Sequence, residues 1–246
     1  MAIDHVEAIR SEASALGAAA RSAPMTTPVP TCPGWDVGRL VGHLGRVHRW
    51  AAAAAAAGGE PVDARGLPKP PTDEAELLGW FDEGAHALVT TLAGIDPGAP
   101  AWNFAGATPT AAFWRRRQAV ETAVHRWDAQ FAAGQVEPVE TKLAADGISE
   151  VLDTWLPGGR RRGPTDRRGV VHLVATDVSQ EWYVRLRGAG LALLDTDTLL
   201  DSDDHHTRTL ARGTASDLLL SLYGRVPFDV LEVAGDTTLL GALRTG

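Results

Sequence analysis

Within the stretch Ala111 to Ala133, Arg117 precedes Glu121 by four residues, His125 follows it by four, and Asp128 comes three later. Residues at those separations lie one above another on a helix. A carboxylate oxygen and an imidazole nitrogen one turn apart can chelate a single divalent ion, as paired ligands do in metalloenzyme helices. Asp128 could accept the proton of the other nitrogen of His125 and so fix the ring's tautomer. Arg117 falls in line to pair with Glu121 or to hold a substrate carboxylate. The competing reading of all four is a solvated helix flank carrying an Arg117–Glu121 ion pair.

The helix that must carry them is legible on its own terms. Val120, Val124, Trp127 and Phe131 recur at helical spacing and mark an apolar face, which leaves Glu121 and His125 on its flank, where a side chain reaches a cleft. A third ligand has to come from another element. The second helix, from Asp36 as N-cap to Ala57, has the stripe Val37, Leu40, Leu44, Val47 and Ala51. His43 lies on one flank with Trp50 and His48 on the other, and periodicity does not choose between them. Three protein ligands with an open fourth position is the arrangement of catalytic zinc; structural zinc is closed, usually by several cysteines. This chain has one cysteine, Cys32, which excludes an internal disulfide and fits a reducing interior. A turn leading into a helix N-terminus could make Cys32 nucleophilic, but it has no partner base nearby in sequence; the plainer reading is a small buried residue.

The remaining elements follow from periodicity and punctuation. A first helix runs from Asp4 to about Arg21 on Val6, Ile9, Ala13 and Leu16. Thr26 to Trp35, with Pro28, Pro30, Pro33 and Gly34, forms an ordered turn. Asp73 and Glu76 resemble a capping box that opens a third helix on Leu77, Phe81, Leu88 and Leu92. Four helices with two long crossovers describe a bundle, an architecture that builds metal sites from residues on separate helices. Gly134 to Glu140 reads as a linker, giving domains 1–137 and 138–246. The second half is α+β: a helix over Leu143 to Leu156, strands at Val170 to Ala175, Trp182 to Leu186, Leu191 to Leu194 and Thr207 to Ala211, a helix opened by Thr214 and Asp217, and a last short helix from Asp236 to Leu243. A small antiparallel sheet with helices on one side is expected.

Composition bounds the partners. The 246 residues carry 23 Lys plus Arg against 31 Asp plus Glu, a formal net charge of −8, so no basic footprint for nucleic acid or anionic membrane is present. No apolar run approaches the ~20 residues of a membrane span, and Met1 to Arg10 lacks the cationic start and apolar centre of a signal peptide. A cytoplasmic protein is expected. The run Asp195 to His206, with Asp201, Asp203, Asp204, His205 and His206, fails the calcium-loop pattern and reads as a solvated connection. The short basic runs Arg115 to Arg117 and Arg160 to Arg162 also read as solvated faces, with Arg117 set apart by its alignment.

Thr31-Cys-Pro-Gly-Trp-Asp36, then Leu40-Val-Gly-His43-Leu44, then Glu121-x-x-x-His125-Arg-Trp-Asp128 resemble the mycothiol-dependent maleylpyruvate isomerase family of actinobacteria. Gly213-Thr-Ala-Ser-Asp217-Leu-Leu-Leu and Gly224-Arg-Val-Pro227 extend the resemblance over nearly the whole chain. It implies a DinB-like four-helix metal-binding domain followed by a smaller domain similar to sterol carrier proteins. It favours His43 over His48 as the ligand joining Glu121 and His125, and implies zinc or another divalent ion with mycothiol as cosubstrate. The expected activity is then isomerisation or S-transfer on a small electrophile such as a cis-enoyl keto acid. Two other classes stay open from the residues: a non-enzymatic carrier whose C-terminal domain binds an apolar ligand, and a metal-dependent hydrolase with water in the fourth position.

Overall fold

A computed structural model describes residues 3–194 and 207–245. The acidic and histidine-containing run Asp195 to His206 lies outside the described residues. The chain divides into two compact units, Met1–Pro138 and Val139–Gly246.

The first unit is a helical bundle of α1 (His5–Arg21), α2 (Val37–Ala56), α3 (Glu74–Gly94) and α4 (Ala111–Ala133). Three of the four begin on an aspartate whose carboxylate accepts first-turn N–H groups: Asp4 from Val6 and Glu7, Asp36 from Arg39, and Asp73 from Ala75 and Glu76. Such caps satisfy amides that the helix leaves unpaired. At the far end of α4, Gly134 adopts φ +70° and stops the helix. Leu16, Leu40, Leu44 and Phe81 meet in a core shared by α1, α2 and α3, with Met25, Val29 and Cys32 of the intervening loop packed into it. Helices α2 and α3 approach closely because Gly45 faces the Trp80 ring and Gly84 lies beside Arg49 and the Gly45 carbonyl.

Helix α4 is the element that departs from its sequence pattern. It touches α1, α2 and α3, so its polar side as well as its apolar side is enclosed. Arg117, Gln118, Thr122, His125, Arg126, Asp128 and Gln130 are all buried, whereas Phe131, assigned to the apolar face, is 42 % exposed and stacks on Trp127. The solvated basic run is corrected in the same way. Arg115 donates to the Leu92 and Ile95 carbonyls at the end of α3, and Arg117 is 2 % exposed. Carbonyls at a helix C-terminus need donors, and Arg115 supplies them.

The second unit starts with α5 (Thr141–Glu150), continued by a π-helical turn Val151–Trp155, and then forms a sheet of β1 (Arg168–Ala175), β2 (Gln180–Arg187), β3 (Gly190–Leu194), β4 (Arg208–Gly213) and β5 (Glu232–Gly235), with α6 (Ala215–Leu222) and α7 (Thr238–Gly241). The fold is therefore a helical bundle followed by an α+β unit. The strand order is β3-β2-β1-β4-β5. The expectation of an antiparallel sheet needs one correction: β1 and β4 pair in parallel, Val171 opposite Thr209, while the other three pairings are antiparallel. Strands β2 and β3 intervene between β1 and β4 in the chain, so the pairing is not made by a tight hairpin, and strands that far apart in sequence can pair in parallel. Val171, Leu173, Trp182, Val184, Leu186 and Ala211 share the buried face. Helices cover it: Trp182 donates to Ser149 of α5, and Leu239 of α7 lies against Gly169.

Candidate metal centre

The site is assembled from α2, α4 and the turn before α2. Glu121 and His125 stand one turn apart on α4, and His43 reaches them from α2. His125 Nε2 lies 3.4 Å from Glu121 Oε1, and His43 Nε2 lies 3.6 Å from the same oxygen. The three ligand-capable atoms fall within 4.8 Å of one another. Both contacts are longer than a good N–H···O bond. They match the roughly 3.4 Å separating two atoms that each sit about 2.0–2.1 Å from a tetrahedral metal.

Two of the three donors, Glu121 and His125, are oriented by a second group. Arg117 Nη2 donates to Glu121 Oε2 at 3.0 Å, which turns the other carboxylate oxygen toward the imidazoles. Asp128, fully buried, places Oδ2 2.8 Å from His125 Nδ1, which leaves Nε2 facing Glu121. Burial opposes charge on His125, but hydrogen bonds to Asp128, Cys32 and Glu121 outweigh it and hold the ring's pKa well above the ordinary imidazole value. Burial likewise opposes the Glu121 carboxylate, and the two imidazoles with Arg117 outweigh it and hold its pKa well below the usual range. Without an ion, Glu121 and Asp128 are therefore balanced by Arg117 and a protonated His125, and a cation binding here would take the place of the imidazole proton.

Of the three residues, His43 lines a cleft of about 650 Å³ in the helical unit, together with Trp35, Arg39, Arg46, Trp50 and Leu77, while Glu121 and His125 lie behind it. Arg39, His43, Arg46 and Trp50 succeed one another along one side of α2, three or four residues apart. Arg46 donates to the Ala64 carbonyl at 3.0 Å. Arg117 does not line the cleft; it lies beneath Glu121.

His48, the alternative that periodicity left open, points elsewhere. It is fully buried, and its Nε2 lies 3.0 Å from Thr122 Oγ1. That hydroxyl donates to the Gln118 carbonyl at 2.6 Å, so His48 Nε2 is the donor to Thr122 and Nδ1 is a bare, buried lone pair without a hydrogen-bond partner. Desolvation, opposed only in part by Glu121, pushes its pKa down to about 3. A second group of ligand-capable atoms, Cys32, His125 and Asp128, lies on the inner side of the His125 ring. Sequence reasoning missed Thr31, Cys32, Trp35 and Arg46 as members of this neighbourhood. Arg46 could have been found as the residue one turn beyond His43; the other three could have been found only as the contents of an unusually ordered turn.

A helical bundle that presents two imidazoles and a carboxylate beside a cleft, followed in the chain by an α+β unit, defines a two-unit protein capable of holding a metal. The chain belongs to the mycothiol-dependent maleylpyruvate isomerase family: residues 6–130 match the family's Mycothiol maleylpyruvate isomerase N-terminal domain, and residues 142–242 match its MDMPI C-terminal domain. The fold is shared with the crystal structure of a histidine-to-alanine mutant of the mycothiol-dependent maleylpyruvate isomerase, at 12% sequence identity and a TM-score of 0.65, with 94% of this chain and 91% of that one covered. The crystal structure of the mycothiol-dependent maleylpyruvate isomerase itself superposes with a TM-score of 0.61 at the same identity and coverage. No curated protein matches the chain. Among the described residues, no helix is long and apolar enough to cross a membrane.

Proposed function

We propose that the chain is a metal-dependent, thiol-using enzyme, an isomerase or S-transferase that takes mycothiol as cosubstrate and a small electrophile as substrate. The metal site would belong to a helical domain, residues 1–137, and a sterol-carrier-like domain would follow over 138–246. The observation that carries this reading is the convergence of His43 Nε2, Glu121 Oε1 and His125 Nε2 at ligand-like spacing.

The donor set fits a divalent ion. Two imidazole nitrogens and one carboxylate oxygen, with no thiolate among them, is a set that catalytic zinc uses. A divalent ion there would make a low-molecular-weight thiol ionise near neutral pH. The protein's own groups do the rest. His43, Glu121 and His125 hold the ion; Arg117 and Asp128 act through them as positioning residues. In the cleft, Trp35 and Trp50 present apolar surface. Arg46, a five-donor guanidinium with one bond to a backbone carbonyl, is placed to meet an anionic group of the substrate, the part first given to Arg117. With a cis-enoyl keto acid such as maleylpyruvate, sulfur addition turns the double bond into a single bond that can rotate. Loss of the same sulfur then gives the trans isomer and returns the thiol. A substrate that only accepts addition, or carries a leaving group, ends as an S-conjugate.

Elemental analysis of the purified protein, then a thiol-consumption assay with and without chelator, tests the reading. One divalent ion per chain is expected, lost together with activity in His43→Ala, Glu121→Ala and His125→Ala. Full metal occupancy in all three variants would remove the site, and turnover without thiol would point to a hydrolase.

A further inference from the structure

The sequence Val29-Pro-Thr-Cys-Pro-Gly-Trp35 folds as two fused β-turns. Cys32 N–H donates to the Val29 carbonyl at 3.0 Å, and Trp35 N–H donates to the Cys32 carbonyl at 2.9 Å. Pro30 and Pro33 take the second position of each turn, where the fixed φ of proline is favoured. Gly34, at φ +78°, takes the third position of the second, which a type II turn reserves for a residue with positive φ. Val29 N–H closes the loop on the Trp35 carbonyl at 2.9 Å. The side chains this loop presents are therefore held in place by its backbone.

Three of those side chains turn toward the proposed metal centre. Thr31 Oγ1 donates to Asp128 Oδ1 at 2.6 Å, and Cys32 Sγ donates to Asp128 Oδ2 at 3.4 Å. Trp35 stacks on the His125 ring, centroids 6.1 Å apart and planes 20° apart, and lies 4.8 Å from the His43 ring. We infer that the turn is a positioning device for the metal ligands, in which Thr31 and Cys32 fix the Asp128 carboxylate plane and, through it, the direction of His125 Nε2. The inference rests on the metal-site reading above. Its physical basis is that a carboxylate bonded through one oxygen alone can swing about its Cβ–Cγ axis, and the imidazole it steers swings with it. A donor on the opposite oxygen removes that freedom. Trp35 limits ring tilt from the flat side. Thr31 and Cys32 are thus positioning residues that touch neither the ion nor the substrate.

The test is the Zn²⁺ affinity of metal-free protein, measured by competition with a chromophoric chelator, for wild type, Thr31→Val, Thr31→Ser, Cys32→Val and His125→Ala. Valine keeps the shape of threonine and removes the hydroxyl, so Thr31→Val should bind zinc about tenfold more weakly, the lower end of the range for outer-shell partners. Thr31→Ser should restore wild-type affinity, which a packing role for the threonine methyl would not do. Cys32→Val should weaken binding less than Thr31→Val, since a thiol is a weak donor. Circular dichroism is expected to be the same in all. Wild-type affinity in Thr31→Val alongside lost affinity in His125→Ala overturns this inference and leaves the metal site standing. Wild-type affinity in His125→Ala overturns the metal site, and the inference with it.

Discussion

Acidification should destabilise the helical unit through His48, by an amount the structure sets. The ring is fully buried as the neutral Nε2–H tautomer, with its pKa lowered from 6.5 to about 3 chiefly by desolvation. In the unfolded chain the same ring titrates at its ordinary value. Because the folded pKa lies below the unfolded one, the unfolded chain takes the proton first as pH falls. The stability contributed by the neutral ring is fully present well above pH 6.5 and is lost progressively as pH falls through 6.5 toward 3. Applying the linkage relation between pH 7 and pH 5 gives a loss of about 2 kcal/mol from this one residue. The assay is urea unfolding of wild type and His48→Gln in chelator at both pH values, followed by tryptophan fluorescence. Glutamine can still donate to Thr122 but does not titrate, and the other ionisable groups are common to both proteins. Wild type should therefore lose about 2 kcal/mol more than the variant. Equal losses in the two proteins would refute the buried, neutral assignment of His48.

Two further substitutions test the packing that positions the site. A Cβ on Gly45 would lie 2.5 Å from the Trp80 ring, which is itself covered by the Arg49 guanidinium, so Gly45→Ala should lower stability by about 1–3 kcal/mol in denaturant unfolding. Arg126 is buried and bonded to Glu12 Oε2, Gln130 Oε1 and the Glu137 and Pro138 carbonyls. Arg126→Met leaves the Glu12 charge without that partner, for an expected loss of about 3–5 kcal/mol; unchanged stability would show that the network contributes little.

Helix limits were readable because their signals are local. Asp4, Asp36 and Asp73 cap helices where expected, and Val6, Ile9, Leu16, Leu40, Leu44, Leu77, Phe81 and Leu88 are buried as their spacing requires. Strand β5 and the parallel pairing of β1 with β4 were not readable. Short runs such as Glu232–Gly235 carry no distinct period, and strand direction depends on how a long connection is routed. The burial of α4's charged side was hidden for a similar reason: hydrophobic periodicity reports which face is apolar, and says nothing of whether the polar face is also enclosed.

The sequence by itself determined that Glu121, His125 and Asp128 share one side of a helix, because helical geometry follows from spacing alone. It also limited the partner on α2 to His43 or His48, which lie on opposite flanks of one stripe. Spacing could not choose between them and the family resemblance favoured His43; the tertiary structure supplies the physical reason, since which of the two stands beside Glu121 depends on the rotation of α2 against α4, a consequence of packing among three helices and a proline-rich turn. The same packing turned Thr31, Cys32 and Trp35, about ninety residues distant in the chain, toward the ring of His125.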